Sequence, residues 1–78
     1  MTTALDSSEL RALRRSMHRF ATLQLGDAQA AEDAVQEALL GAFKNEAAYA
    51  GRASLKTWVF AILKNKITDV LRSRQRMQ

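Results

Sequence analysis

The chain has 78 residues, with no cysteine, no proline and three glycines. This length allows one small domain, and the absence of cysteine excludes disulfides and thiolate zinc sites. Scarce glycine and proline favour helices over a turn-rich β fold. The chain does not open with a signal-peptide pattern, and residues 58–63, its longest strongly apolar stretch, are far short of the roughly 20 residues that span a bilayer. We therefore expect a cytoplasmic domain with no membrane partner.

The net charge of +4 is divided unevenly along the chain. Residues 1–26 carry four arginines against two acids, and residues 27–46 carry five acids against one lysine. Residues 47–78 carry seven basic residues against one acid. The segments are thus +2, −4 and +6, and this asymmetry is more informative about partners than the total is.

Apolar residues at spacings of three and four predict a first helix over residues 7–25. Asp6 and Glu9 stand in a capping-box arrangement at its start, and Gly26 is the expected C-terminal cap. The predicted buried face consists of Leu10, Leu13, Met17, Phe20 and Ala21.

A second helix is predicted over residues 28–45, with Asp27 as its N-cap. Its acids are concentrated in the N-terminal half, where the helix dipole favours negative charge. The predicted apolar stripe consists of Ala31, Val35, Ala38, Leu39, Ala42 and Phe43.

After a loop around residues 49–52, Ser54 is the expected cap of a third helix that ends near Ser73, before a frayed basic tail. Its apolar stripe is Leu55, Trp58, Val59, Ile62, Leu63, Val70 and Leu71. A separate small and polar stripe is Thr57, Ala61, Lys64, Thr68 and Arg72, with Asn65 at its edge. The whole pattern predicts an all-α fold, a small bundle of three main helices.

Catalytic and metal sites are hard to build from these residues. His18 is the single histidine, and Ser54 has no base nearby in the pattern. Asp33 and Glu37 lie one helical turn apart, but the Glu-x-x-His motif of carboxylate sites in bundles is absent. We therefore expect no enzyme activity, no cofactor and no metal.

The third segment mixes cations with aromatic residues, a combination that suits nucleic acids because bases stack on aromatic rings and cations neutralise phosphates. Trp58 lies on the apolar stripe and is expected to be mostly buried, so Tyr49 in the loop is the better candidate for an exposed ring. The residues alone leave open a module that binds nucleic acid and one that binds a protein.

Two segments resemble conserved regions of bacterial RNA polymerase sigma factors. Residues 27–43, DAQAAEDAVQEALLGAF, resemble region 2.2, and residues 49–65, YAGRASLKTWVFAILKN, resemble regions 2.3 and 2.4 of the extracytoplasmic function (ECF) group. The resemblance covers about residues 8–76 and implies one sigma region 2 domain over residues 1–78. Its implied parts are an N-terminal tail (1–7), a region 2.1-like helix (8–25), a region 2.2-like helix (27–46), a loop (47–54) and a region 2.3/2.4-like helix with a basic tail (55–76).

The resemblance implies two partners. Region 2.2 of sigma factors docks on the clamp helices of the polymerase β′ subunit, and this role carries over to Asp33, Gln36, Glu37 and Leu40. Regions 2.3 and 2.4 recognise and help to melt the promoter −10 element, so that the polymerase can initiate transcription. They hold its non-template strand as single-stranded DNA, with a base flipped into a loop pocket. This role carries over to Tyr49, Arg52, Lys56, Lys64, Asn65, Thr68 and Arg72.

The chain departs from the ECF pattern in two ways. The second helical domain, which binds the −35 element, is missing, so we expect a region 2 fragment of a longer factor. The loop carries Arg52 and Ala53 where acidic or small polar residues are common, which leaves the recognised base open. An anti-sigma factor is a compatible further partner. Alternative functions are a helix-turn-helix-like module that binds duplex DNA and a protein-interaction helical module.

Overall fold

The computed structural model describes residues 7–45 and 54–76, which form a bundle of three helices without strands. The helices are α1 (Ser7–Leu25), α2 (Ala28–Lys44) and α3 (Leu55–Arg76). α1 and α2 form an antiparallel hairpin, and α3 packs against both. The predicted all-α three-helix bundle is confirmed. Over the described ranges, no helix combines the length and the apolar character needed to cross a membrane.

Some predictions fall outside this part of the chain. They are Asp6 of the capping box, the loop residues Tyr49 and Arg52, and the last two residues of the tail. The placement of these residues is therefore not part of the fold described here.

The turn between α1 and α2 has the predicted caps. Gly26 has a positive φ of 68°, and its N–H donates to the carbonyl oxygen of Thr22 at 2.8 Å. Asp27 Oδ1 accepts from the backbone N–H groups of Gln29 at 2.8 Å and Ala30 at 3.1 Å. The left-handed glycine ends α1, and the carboxylate satisfies two N–H groups that would otherwise lack partners at the start of α2.

α3 begins where it was predicted to begin but ends later. Ser54 Oγ accepts from the Thr57 N–H at 3.1 Å, which confirms the cap. The prediction that the helix ends near Ser73 is wrong, because α3 continues by another turn. Arg74 Nη1 donates to the Leu25 carbonyl oxygen at 2.9 Å, and this bond ties the last turn of α3 to the end of α1.

The core packs large side chains of α1 and α3 onto small side chains of α2. Met17 of α1 and Leu63 of α3 are fully buried. The buried residues of α2 are Ala31, Ala34, Val35, Ala38 and Ala42. Because alanine ends at Cβ, this face of α2 lets both neighbours approach its backbone closely.

The structure corrects the predicted core at several positions. Phe43 is 63% exposed, because it lies in the last turn of α2, where fewer neighbours cover it. Leu71 and Leu10 are 39% and 36% exposed, since each lies toward an end of its helix, where fewer neighbours cover it. Ile67 was missing from the predicted stripe but is buried, because it follows Leu63 by four residues.

The two described glycines give a matched test of the fold. We expect Gly26→Ala to lower the free energy of unfolding by about 1–2 kcal/mol, because a left-handed backbone strains an L-residue. We expect Gly41→Ala to raise it by about 1 kcal/mol through helix propensity, since its Cβ would meet Ile62 Cγ2 at an ordinary 3.8 Å. Urea unfolding measures both free energies. If both variants were stabilised, or both destabilised, the roles given to the two glycines would be wrong.

Candidate functional site

The residues predicted to contact polymerase share one exposed face of α2. Asp33, Gln36, Glu37 and Leu40 are all exposed and are spaced by three or four residues, so they lie side by side. Phe43 follows three residues after Leu40 and extends the face with a ring that is 63% exposed. We call these five residues the outer face of α2. Sequence reasoning missed Phe43 because its apolar character and its spacing of four residues from Leu39 placed it in the core.

The carboxylates of this outer face have weak intramolecular partners. Gln29 Nε2 donates to Asp33 Oδ1 at 3.2 Å, and Lys66 Nζ of α3 lies 4.0 Å from Glu37 Oε1. Exposed pairs of this kind contribute about 0–1 kcal/mol each. The carboxylates are therefore oriented but remain available to a partner that brings a stronger cation.

Glu32, the first acid of the region 2.2-like motif, is used inside the bundle. Arg14 of α1 pairs with Glu32 Oε2, and His18 Nε2 lies 3.9 Å from Oε1. Gln36 Nε2 also donates to Glu32 Oε2, at 3.0 Å. Glu32 thus joins α1 to α2 and positions Gln36, which leaves Asp33 and Glu37 as the outward-facing acids of the motif.

Four of the residues predicted to bind DNA share an exposed face of α3. Lys64, Asn65, Thr68 and Arg72 are all exposed, and we call them the outer face of α3. Lys64 Nζ lies 6.0 Å from the centroid of the Phe20 ring, so this cation is at the seam with α1. Thr68 Oγ1 donates to the Lys64 carbonyl oxygen at 2.9 Å, so in this rotamer its hydroxyl can accept a hydrogen bond but not donate one to a phosphate.

Lys56 is not brought next to these four residues. It lies about 24 Å along the helix axis from Arg72, at 1.5 Å per residue. It lines a small open hollow with Glu9, Ala12, Leu13 and Ser16 of α1. The structure therefore separates one predicted DNA contact from the others, and Tyr49 and Arg52 lie outside the described residues.

In the part of the chain that the structure describes, the charged and polar side chains lie at the surface. No polar or charged side chain is buried in residues 8–45 and 54–76. Within the described ranges, no three histidine, aspartate or glutamate side chains converge on one point. This arrangement suits binding by charged and apolar faces.

The comparisons with known proteins point to one family. The family described as Sigma-70 region 2 matches residues 7–77. A probable RNA polymerase sigma factor of Haemophilus influenzae is 54% identical over 72 residues, which cover 92% of this chain and 37% of that protein. The ECF RNA polymerase sigma factor SigG of Mycobacterium tuberculosis is 38% identical over 63 residues, which cover 81% of this chain and 17% of that protein. No solved structure matches the chain significantly.

The match extends from the first turn of α1 through the end of α3, so it includes both outer faces. It also agrees with the two segments, 27–43 and 49–65, whose residues resemble regions 2.2 and 2.3–2.4. The chain therefore belongs to the sigma-70 region 2 family of RNA polymerase sigma factors.

Proposed function

We propose that this chain is the part of an ECF-type RNA polymerase sigma factor that attaches to the polymerase and captures the promoter −10 element as single-stranded DNA. It acts by binding and carries out no reaction of its own. The relatives are longer proteins, of which the chain spans 37% and 17%. The proposal therefore concerns this region, and not the activity of a whole factor.

The outer face of α2 is proposed to dock on the β′ clamp helices. Asp33 and Glu37 offer carboxylates to the basic side of a coiled coil, and Gln36 offers an amide between them. Leu40 and Phe43 add apolar area that is 56% and 63% exposed in the chain by itself. Burying a side chain of this size contributes about 1.5–3 kcal/mol when it goes from full exposure to full burial, so both groups favour a partner.

The outer face of α3 is proposed to hold the single strand. Lys64 and Arg72 would neutralise phosphates, while the Asn65 amide can both donate to and accept from a base edge. The loop over residues 47–54, with Tyr49 and Arg52, is proposed to form the pocket for a flipped base. Extrusion of a base costs a few kcal/mol of stacking, so the pocket and the cations must act together.

The observation that carries the proposal is the separation of charge between the two outer faces. Acidic and apolar groups are exposed together on α2, whereas the outer face of α3 has cations and neutral polar groups only. Asp69, the single acid of α3, borders this face one turn after Asn65. A protein partner at α2 and a polyanion at α3 account for both surfaces.

Charge reversal on α2 tests the docking surface. We expect Asp33→Lys with Glu37→Lys to weaken binding to the isolated β′ clamp-helix coiled coil by at least tenfold, because two attractive contacts become repulsive. Both positions are exposed, so helix content measured by circular dichroism should not change. Surface plasmon resonance measures the affinity.

The control compares Asp69→Lys with the single variant Asp33→Lys, because each changes the net charge by +2. Asp69 borders the outer face of α3, so Asp69→Lys should leave clamp binding nearly unaltered. Equal losses in Asp33→Lys and Asp69→Lys would mean that net charge alone governs the association, and the docking surface would then be wrong.

Two variants with opposite expected effects on DNA affinity test the DNA-binding face. We expect Lys64→Gln to weaken binding to a labelled single strand and Asp69→Asn to strengthen it, because the first removes a phosphate contact and the second removes a nearby repulsion. Fluorescence anisotropy at several salt concentrations measures both, and the wild-type affinity should fall as salt rises. Stronger binding to duplex than to single strand would favour the helix-turn-helix alternative, and no DNA binding at low salt would favour a protein-interaction module.

A further inference from the structure

The exposed side of α1 carries a regular row of arginines. Arg11, Arg15 and Arg19 are four residues apart and all exposed, and we call them the arginine stripe. Among the described residues none of the three has an ion-pair partner. The neighbouring Arg14 and His18 instead turn toward Glu32 on α2. The stripe therefore has no role in joining the helices.

The arginine stripe works against the stability of its own helix. Like charges at i and i+4 destabilise a helix, and the stripe contains two such pairs, Arg11 with Arg15 and Arg15 with Arg19. No acid lies among residues 10–25 of α1 to offset them, and Glu32 of α2, which lines the same open hollow, is paired with Arg14. A bound anion would remove this repulsion.

Two cations of α3 lie at its boundary with α1, on a different side of α1 from the arginine stripe. Lys64 Nζ lies 6.0 Å from the Phe20 ring centroid, at the seam between the two helices. Lys56 lines the hollow formed with Ala12 and Ser16 of α1. Phe20 follows Arg19 by one residue, so this seam is turned by about 100° around α1 from Arg19. A polyanion on the outer face of α3 therefore reaches the arginine stripe only if it extends around α1.

We propose that the arginine stripe binds the phosphate backbone of duplex DNA adjoining the single strand held by α3, an inference that rests on the proposed function. Guanidinium groups bind phosphate through two parallel hydrogen bonds. The stripe is about 12 Å long at 1.5 Å per residue. Successive phosphates of one strand are farther apart than their axial rise of about 3.4 Å, so the stripe lies along about two or three of them. Contacts to phosphates carry no sequence information directly, so we expect this contact to be independent of sequence.

A regular polyanion fits this surface better than an acidic protein does. The row continues into one apolar side chain, Leu23, which is 75% exposed at its C-terminal end. Protein interfaces centre on buried apolar or aromatic anchors with a polar rim. Here the three arginines form the centre, and the single leucine lies at the margin.

The test compares two labelled DNA probes, a single strand of about 12 nucleotides and the same strand extended on its 5′ side by a duplex of about 14 base pairs. We expect Arg15→Gln with Arg19→Gln to weaken binding to the duplex-bearing probe only. The slope of log affinity against log salt should become shallower by about 1.8 for that probe, or 0.9 for each lost phosphate contact. Arg15→Lys with Arg19→Lys keeps the charge and should restore most of the slope.

Lys44→Gln is the control, because it removes an exposed cation from the end of α2 and should leave the slope unchanged. Equal slopes for the wild type and the double glutamine variant would overturn the inference. If Lys64→Gln still weakened the single strand in that case, the proposed function would survive alone. If the arginine variants weakened duplex binding but Lys64→Gln did not weaken single-strand binding, the inference about the arginine stripe would hold and the proposed function would fail. Polyglutamate serves as a model of an acidic protein. If Arg15→Gln with Arg19→Gln lost binding to polyglutamate but kept its binding to duplex DNA, the inference would be overturned in favour of an acidic protein partner.

Discussion

The alanine-rich face of α2 is the constraint on which the rest of the structure depends. Four of its five buried residues are alanines, and Met17 of α1 and Leu63 of α3 fill the space that these small side chains leave. Turning this face inward leaves one possible orientation for the opposite side of the helix, so Asp33, Glu37 and Leu40 point outward. Enlarging a buried alanine would force the helices apart, because a close-packed core has no spare volume. The geometry of the outer faces thus depends on residues that contact no partner.

The same packing separates the charges. Glu32 is held by Arg14 between α1 and α2, while Lys66 and Glu37 face each other across the boundary between α2 and α3. These pairs are partly exposed and contribute little to stability. These pairs instead fix how the neighbouring helices lie against each other. They leave most charged groups of the two outer faces available to partners. A total charge of +4 therefore conceals two surfaces of opposite character.

Local features were predictable from the sequence, and features that depend on tertiary contacts were not. The caps at Gly26, Asp27 and Ser54 use only residues within four positions, so the pattern identified them. The extra turn of α3 involves the bond from Arg74 to Leu25, which are 49 residues apart. The exposure of Phe43 likewise depends on where α2 leaves its neighbours, which its hydrophobicity does not reveal.

The candidate site shows the same division. Helical spacing places Asp33, Gln36, Glu37 and Leu40 on one face, as the structure shows. It does not by itself show that Lys56 faces a hollow on α1, because that depends on how α3 packs. The roles of these residues come from the family resemblance and stay predictions, including those of Tyr49 and Arg52 in the loop.

The central claim is that two separate faces of one small bundle serve two partners at once. Its most direct test is a titration of labelled single-stranded DNA into the chain already saturated with the β′ clamp-helix coiled coil. Separate faces predict that the strand binds with undiminished affinity and that a three-component complex forms, visible as one species in analytical ultracentrifugation. Displacement of the coiled coil by DNA, with no three-component complex at any ratio, would show that the partners share a surface and would contradict the account.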